Sequence, residues 1–99
     1  MTAPIAFHQL IESDLRSAVA YYESEGGQRL AQRFMDDVDA AVRSIRSNPL
    51  RHHFSTSNLR RAQLRTFPYH FIYRLDEYGV RVLVLRHDRR HPTYGLGRR

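Results

Sequence analysis

The spacing of the apolar residues changes once along this chain, at Asn48-Pro49, and that change limits the folds open to it. Before it, apolar residues recur every three or four positions, which is the period of an amphipathic helix. After it, in the segments 61–66 and 70–75, they alternate with polar residues, which is the period of a strand. The helical stripe comprises Ile11, Leu15, Ala18, Tyr22, Leu30, Phe34, Val38, Ala41 and Ile45. The order of the two periods predicts helices first and a sheet after them.

The first half of the chain should form one strand and two helices. The apolar run at 5–7 suits a strand, and the stripe places helices at 9–25 and 28–47. Gly26-Gly27 separates the helices, because glycine adopts the left-handed backbone conformation without penalty. Asn48-Pro49 ends the second helix, since proline disfavours a helical residue before it. So short a link predicts an antiparallel helical hairpin.

The second half should form the sheet. Segment 50–58 has no periodicity and is predicted to be a loop, and 86–99 is predicted to be an irregular, basic tail. Both helices should pack on one face of a three- to four-stranded, largely antiparallel sheet, in the order β-α-α-β-β-β of an α+β domain. Ninety-nine residues fit a single domain, 1–99. The predicted strands are 61–66, 70–75 and 80–85, and the last is apolar on both faces, as a central strand covered by helices would be.

The charge is divided unevenly between the two halves. All 16 basic residues are arginines. Residues 1–49 hold five arginines and seven acidic residues, a net charge of −2, whereas residues 50–99 hold eleven arginines and three acidic residues, a net charge of +8. Genome base composition is one explanation of the arginine preference, but it does not explain the distribution. Because arginine grips carboxylates and phosphates through two parallel hydrogen bonds, the second half predicts a polyanionic partner, either nucleic acid or an acidic protein segment.

Several classes of protein are disfavoured by composition. Without cysteine, disulfides and thiolate metal sites are excluded. No apolar run is long enough for a membrane span, so we expect no membrane partner and a cytoplasmic location. The adjacent pair His52-His53 does not have the spacing of a metal site, and no metal or cofactor is expected.

Several short motifs, in a fixed order, together resemble the RelE/ParE superfamily of toxins. The motifs form three sets. The first is similar to the helical hairpin of that superfamily, the second to its central strands, and the third to its closing strand and tail. The three sets are Asp14-Leu15, Ala18, Tyr21-Tyr22-Glu23, Leu30-Ala31, Phe34, Ile45 and Asn48-Pro49; the segment 64–74; and the segment 84–94.

This resemblance implies the toxin half of a bacterial type II toxin–antitoxin module. The expected partner is a cognate antitoxin, acidic and partly disordered when free, that folds onto the toxin and forms a hetero-oligomer with it. The resemblance leaves two targets open. The RelE branch cuts messenger RNA on the ribosome, and the ParE branch poisons DNA gyrase.

The residues that the resemblance assigns to RNA cleavage match only in part. Cleavage without a metal needs a general base, a general acid and cations that stabilise the phosphorane. One expected cation is replaced by Gln63 and a second by His70. We therefore favour the ParE-type gyrase poison, with the ribosome-dependent endoribonuclease as the alternative and a non-toxic nucleic-acid-binding or scaffold domain as a third interpretation. Whether the chain is an enzyme stays open; if it is a nuclease, its catalytic set would be Arg61, Arg65, His70, Arg89, Arg90 and Tyr94.

A separate set is expected to contact the target or the antitoxin. Arg61, Arg65, Arg74, Arg89 and Arg90 should converge on one end of the sheet. Val19, Met35 and Val42 should be exposed on the hairpin, where an amphipathic partner helix would bind. The alternative to a catalytic role for the histidines is that His70 caps the hairpin surface and that His87 and His91 hold the tail. The expected contact residues are Arg65, Arg74, Arg86, His87, Arg89, Arg90, Met35 and Val42.

Overall fold

The computed structural model describes residues 3–52, 54–56 and 58–99. The elements are β1 (Ile5–Phe7), α1 (Ile11–Ser47), β2 (Phe54–Thr56), β3 (Leu59–Gln63), β4 (Tyr69–Asp76) and β5 (Gly79–His87). The strands form one sheet in the order β1-β5-β4-β3-β2. The predicted α+β class is confirmed. Within the described ranges, no helix combines the length and apolar character that crossing a bilayer requires.

The long helix α1 is two helical arms, 11–25 and 28–47, separated by non-helical backbone at two glycines. Gly27 has a φ of 74°, which other residues adopt only with strain. A Cβ atom on Gly26 would lie 2.6 Å from Cδ2 of Leu30. The arms fold back on one another, so that the rings of Tyr22 and Phe34 meet with centroids 5.0 Å apart. The predicted hairpin is confirmed.

Within the residues that the structure describes, the sheet has five strands, one more than the upper limit predicted. The extra strand is β2, which pairs antiparallel with β3, inside the segment 50–58 that was predicted to be a loop. That prediction was wrong because β2 is held by backbone pairing to a neighbour and carries no alternation of its own. All pairs are antiparallel except β1 with β5, which aligns Ile5 with Val80 and Phe7 with Val82.

The strand predicted at 61–66 lies earlier, at Leu59–Gln63. Its end is set by Asp37 on the second helical arm. The Asp37 carboxylate accepts hydrogen bonds from the backbone N–H groups of Arg65, Thr66 and Phe67, at 2.9 to 3.2 Å. Because those amides turn toward the helix, they do not take part in the ladder of hydrogen bonds between β3 and β4.

The core lies between α1 and one face of the sheet. Phe34 is fully buried, and its ring contacts those of Phe67 and Tyr69, each with a centroid separation of 5.3 Å. On β4, Phe71 and Tyr73 belong to this core. The residues that alternate with them, such as His70 and Ile72, point to the opposite face of the sheet, which we call the outer face.

The outer face is covered by the C-terminal tail. Strand β5 extends to His87, so the tail comprises residues 88–99, and Arg86 belongs to the sheet rather than to the tail. Gly95 lies directly against Val84 of β5 with a φ of 81°. In the sequence both faces of this strand are apolar. The helices cover one of these faces, and the tail covers the other.

Replacing Gly95 with alanine should therefore loosen the tail. The added Cβ would lie 2.7 Å from Cβ of Val84, and the positive φ adds backbone strain, so we expect a loss of about 1–3 kcal/mol in the free energy of unfolding. Gly97→Ala is the matched control, because nothing lies within 4 Å of its added Cβ. Urea unfolding measures both. Equal stability of the two variants would contradict the packing described.

Candidate functional site

The arginines expected at one end of the sheet are distributed over three places, and that expectation was wrong. Arg74 is aligned with Leu59 and Arg81, near the turn that joins β4 to β5. It lies four residues along β4 from His70, which at about 3.3 Å per residue is roughly 13 Å. Arg65 follows the end of β3 and faces the second helical arm, where it lines a cleft with Asp37. Alternation shows which face of the sheet a side chain lies on. It does not show which residues of the neighbouring strands lie beside it.

Arg61 lies on the outer face beside His70, and an acidic residue connects the two. Asp88 accepts a hydrogen bond from Arg61 at 3.4 Å and two from the amide of Gln63, at 3.1 and 2.9 Å. The same carboxylate lies 2.8 Å from Nδ1 of His70. Asp88 is therefore the centre of this cluster. Sequence reasoning missed it, because no local pattern links it to strands β3 and β4.

His70 is 1% exposed, in contrast to the expected surface cap. Its Nε2 lies 2.8 Å from Nε of Arg86. Because a guanidinium only donates, Nε2 must accept, and the ring proton must sit on Nδ1 and be donated to Asp88. Burial lowers the pKa of His70, against the opposing effect of its hydrogen bond to Asp88. Both ring nitrogens are occupied, and the ring is neutral.

Arg86 extends this network into the tail. It is 6% exposed, and its Nη1 donates to the carbonyl oxygens of Pro92 at 2.7 Å and Tyr94 at 2.9 Å. Burial lowers the pKa of Arg86, but arginine stays charged in proteins. The sequence placed Arg86 among the contact residues, whereas here its guanidinium is enclosed by the chain's own backbone.

A second arginine fixes the end of the tail. The two amino groups of Arg98 donate to the Asp14 carboxylate at 2.7 and 3.2 Å, and one of them also donates to the carbonyl of Leu83 at 3.0 Å. Asp14 accepts the backbone N–H of Leu85 at 3.1 Å. The hydrogen bond to Asp14 raises the pKa of Arg98. Strand β1 pairs with β5 only as far as Val82. Beyond that point, Asp14 and Arg98 provide hydrogen-bond partners for the backbone at the edge of β5.

The remaining candidates lie at the junction of β5 and the tail. The guanidinium of Arg90 stacks over the ring of Tyr94, with Cζ 4.0 Å from its centroid. Arg89 is exposed. Nδ1 of His87 accepts the backbone N–H of Arg89 at 3.0 Å, and Nδ1 of His91 accepts that of Thr93 at 3.2 Å. The two histidines hold turns of the tail, as one of the two interpretations expected.

Comparison with known proteins identifies the family. A family model described as "ParE toxin of type II toxin-antitoxin system, parDE" matches residues 5–92. The chain belongs to this family. It is also 27% identical over 93 residues to Toxin ParE2 of Mycobacterium tuberculosis, in strains CDC 1551 and H37Rv, a match that covers 94% of this chain and 89% of the relative.

The fold is that of a solved ParE-containing assembly. A chain of the chromosomal ParDE system from P. aeruginosa superposes with a TM-score of 0.76 at 13% identity, covering 87% of this chain and 96% of that one. The resemblance inferred from the sequence is thus confirmed: this chain is a ParE-type toxin of a type II toxin–antitoxin system.

In this ParE-family chain the six residues proposed for catalysis do not form one constellation. Arg61 and His70 share Asp88, and Arg90 stacks on Tyr94 at the β5 edge. Arg65 is on the helix side, and Arg89 has no side-chain partner in the described ranges. Three or more potential metal ligands are likewise not clustered anywhere in the part of the chain that the structure describes.

The hairpin residues expected to be exposed are half-buried. Val19, Met35 and Val42 pack against the core. Met35 and Val42 line an apolar groove whose edge is formed by the 40% exposed Phe7. We call it the hairpin groove; its lining residues are Phe7, His8, Gln9, Ile11, Glu12, Leu15, Met35, Val38, Asp39, Val42 and Phe71.

The state of His70 predicts a dependence of stability on pH. Its pKa in the folded chain lies below the unfolded value of about 6.5. The folded state thus favours the neutral ring. The contribution of His70 to the free energy of unfolding is fully present above about pH 6.5 and is lost as the pH falls toward the folded pKa. Urea unfolding at decreasing pH should show the loss in the wild type, and His70→Gln should lack this contribution.

Nitrogen NMR provides the direct test of the same arrangement. We expect the neutral His70 ring to carry its proton on Nδ1, and Asp88→Asn to lower its pKa further, since the hydrogen bond to Asp88 raises it. A proton on Nε2, or a titration midpoint of His70 above the unfolded value, would contradict the network.

Proposed function

We propose that this ParE-family toxin stops bacterial growth by binding DNA gyrase and does not cut RNA. The observation that carries the proposal is the condition of His70. It is the histidine that the resemblance places nearest to a nuclease centre, and it is buried, neutral and hydrogen-bonded at both ring nitrogens.

Proton transfer from this position would be costly. A general acid or base must reach the substrate directly or through one water molecule. His70 can take a proton on Nε2 only by losing the Arg86 hydrogen bond, and Arg86 holds the tail over it. The neighbouring position is the neutral Gln63, whose amide is committed to Asp88. RNA could reach Nε2 of His70 only if the tail moved off the sheet, because this ring is 1% exposed.

Binding to a protein makes smaller demands. Arg65, Arg89 and Arg90 are exposed, and exposed guanidinium groups recognise carboxylates on a protein surface. The half of the chain that contains them carries a net charge of +8, which favours rapid encounter with an acidic surface. These residues, with Arg74 and His87, are our proposed target contacts. Arg86 supports the surface from beneath.

The proposed antitoxin site is the hairpin groove. Its apolar walls and the exposed rim residue Phe7 suit one face of an amphipathic helix. Such a segment is expected from a toxin–antitoxin pair, in which the antitoxin folds on binding. Met35 and Val42 would be the anchors, half-buried in the free toxin and covered fully in the complex.

The target is tested with Arg61→Gln and Tyr94→Phe, each checked for unchanged folding. A nuclease that used these groups would lose about 100-fold in cleavage rate with either change. We expect both variants to arrest growth on induction and to inhibit purified gyrase supercoiling within about threefold of wild type. Wild-type protein should leave messenger RNA on ribosomes uncut.

Two other outcomes would reject the proposal. Ribosome-dependent RNA cleavage by the wild type, lost in both variants, would establish the endoribonuclease. Normal growth and unaffected gyrase and ribosome assays, with soluble full-length toxin, would favour the non-toxic scaffold domain.

The groove is tested with changes that keep side-chain size. Because Met35→Gln and Val42→Thr add polar atoms to a surface that the antitoxin would desolvate, the double variant should bind the cognate antitoxin at least about tenfold more weakly. Val19→Thr is the control, since Val19 packs against the same core but does not line the groove. Isothermal titration calorimetry measures all three proteins. Unchanged affinity of the double variant would place the antitoxin elsewhere.

A further inference from the structure

A small polar recess opens where the first helical arm, the end of β5 and the tail meet. Its volume is about 180 Å³. Because Arg90 stands at its opening to solvent, we call it the Arg90 recess. Its lining residues are Ser13, Asp14, Ser17, Ala18, Tyr69, Leu85, Arg86, His87, Arg90 and Tyr94. The groove proposed for the antitoxin shares none of these residues, and among the side chains hydrogen-bonded to His70, Arg86 also lines the recess.

The balance of charge in the recess is positive. Its one carboxylate, Asp14, is already matched by Arg98 at 2.7 Å and by the N–H of Leu85. Arg90 has no acidic partner among the residues that the structure describes. Its guanidinium is instead held over Tyr94 by ring stacking, with Cζ 4.0 Å from the centroid. A cation fixed in position by an aromatic ring is prepared for an anion that the chain does not supply.

Neutral donors complete the lining. Ser13 and Ser17 are four residues apart on α1 and therefore share one helix face. Neither hydroxyl has a hydrogen-bond partner within the described ranges. Burial raises the pKa of Tyr69, so its phenol remains a protonated donor at neutral pH. Hydroxyl groups beside a guanidinium form a donor set for an oxyanion.

We propose that the Arg90 recess binds the carboxylate of a glutamate or aspartate side chain carried by a protein partner. The two oxygens of a carboxylate match the guanidinium fork. Three elements bound the recess, so a group at the end of a flexible stem fits better than a phosphodiester, which is flanked by sugars on both sides. The choice of a protein as carrier rests on the proposed function; the carboxylate site itself does not.

The test uses the free toxin and small probes. The wild-type chain is titrated with N-acetylglutamate amide, N-acetylglutamine amide and inorganic phosphate, while backbone amide signals are followed by NMR. We expect saturable shifts at Ser17, His87 and Arg90 with the glutamate probe, and none with the uncharged glutamine probe. Arg90→Gln should weaken glutamate binding at least about fivefold. Arg16→Gln makes the same charge change on α1 outside the recess and should not.

Three results would overturn the proposal. The first is the absence of saturable shifts with the glutamate probe, and the second is equal weakening by Arg90→Gln and Arg16→Gln, which would indicate only general charge. The third is tighter binding of phosphate than of the glutamate probe, which would favour a nucleic acid. Since gyrase is absent from the assay, each result can occur whether or not the toxin inhibits gyrase.

Discussion

Burial of the Arg86 guanidinium is the constraint on which the rest of the outer face depends. A buried cation is tolerated only when its donors are satisfied, and here the acceptors are Nε2 of His70 and the carbonyls of Pro92 and Tyr94. Through Nδ1 the imidazole is also hydrogen-bonded to Asp88, so the neutral ring connects a positive and a negative group. The tail cannot leave without exposing these carbonyls and leaving Arg86 with unsatisfied donors.

The Arg98–Asp14 pair has a different role, because it replaces a missing strand. Strand β1 is three residues long, and β5 continues beyond it with an unpaired edge. Such edges invite pairing with other chains. Asp14 and Arg98 occupy the N–H of Leu85 and the carbonyl of Leu83, so the helix and the tail together close the edge. This partly buried pair therefore protects the end of β5 against pairing with another chain.

The parts of the fold that local spacing controls could be predicted from the sequence. Phe34, Val38 and Ile45 are buried as the helical period requires, and the hairpin breaks at its two glycines. Contacts between distant residues could not be predicted. Arg98 meets Asp14 across 84 residues, and no periodicity indicates which of 16 arginines finds an acid. For the same reason His70 was expected at the surface, since its burial is due to the tail.

The arginines of this basic half are of two kinds. Some are hydrogen-bonded within the chain, and others are exposed to solvent. Nε and Nη1 of Arg86 and both amino groups of Arg98 are hydrogen-bonded within the chain, where they hold the tail in place. Arg89 and Arg90 remain exposed, on a tail that the first pair binds to the sheet through hydrogen bonds. Their placement before any partner arrives lowers the ordering cost of binding. Arg86 and Arg98 thus serve as supports of the tail, and the surface that they hold is the one we propose to recognise another protein.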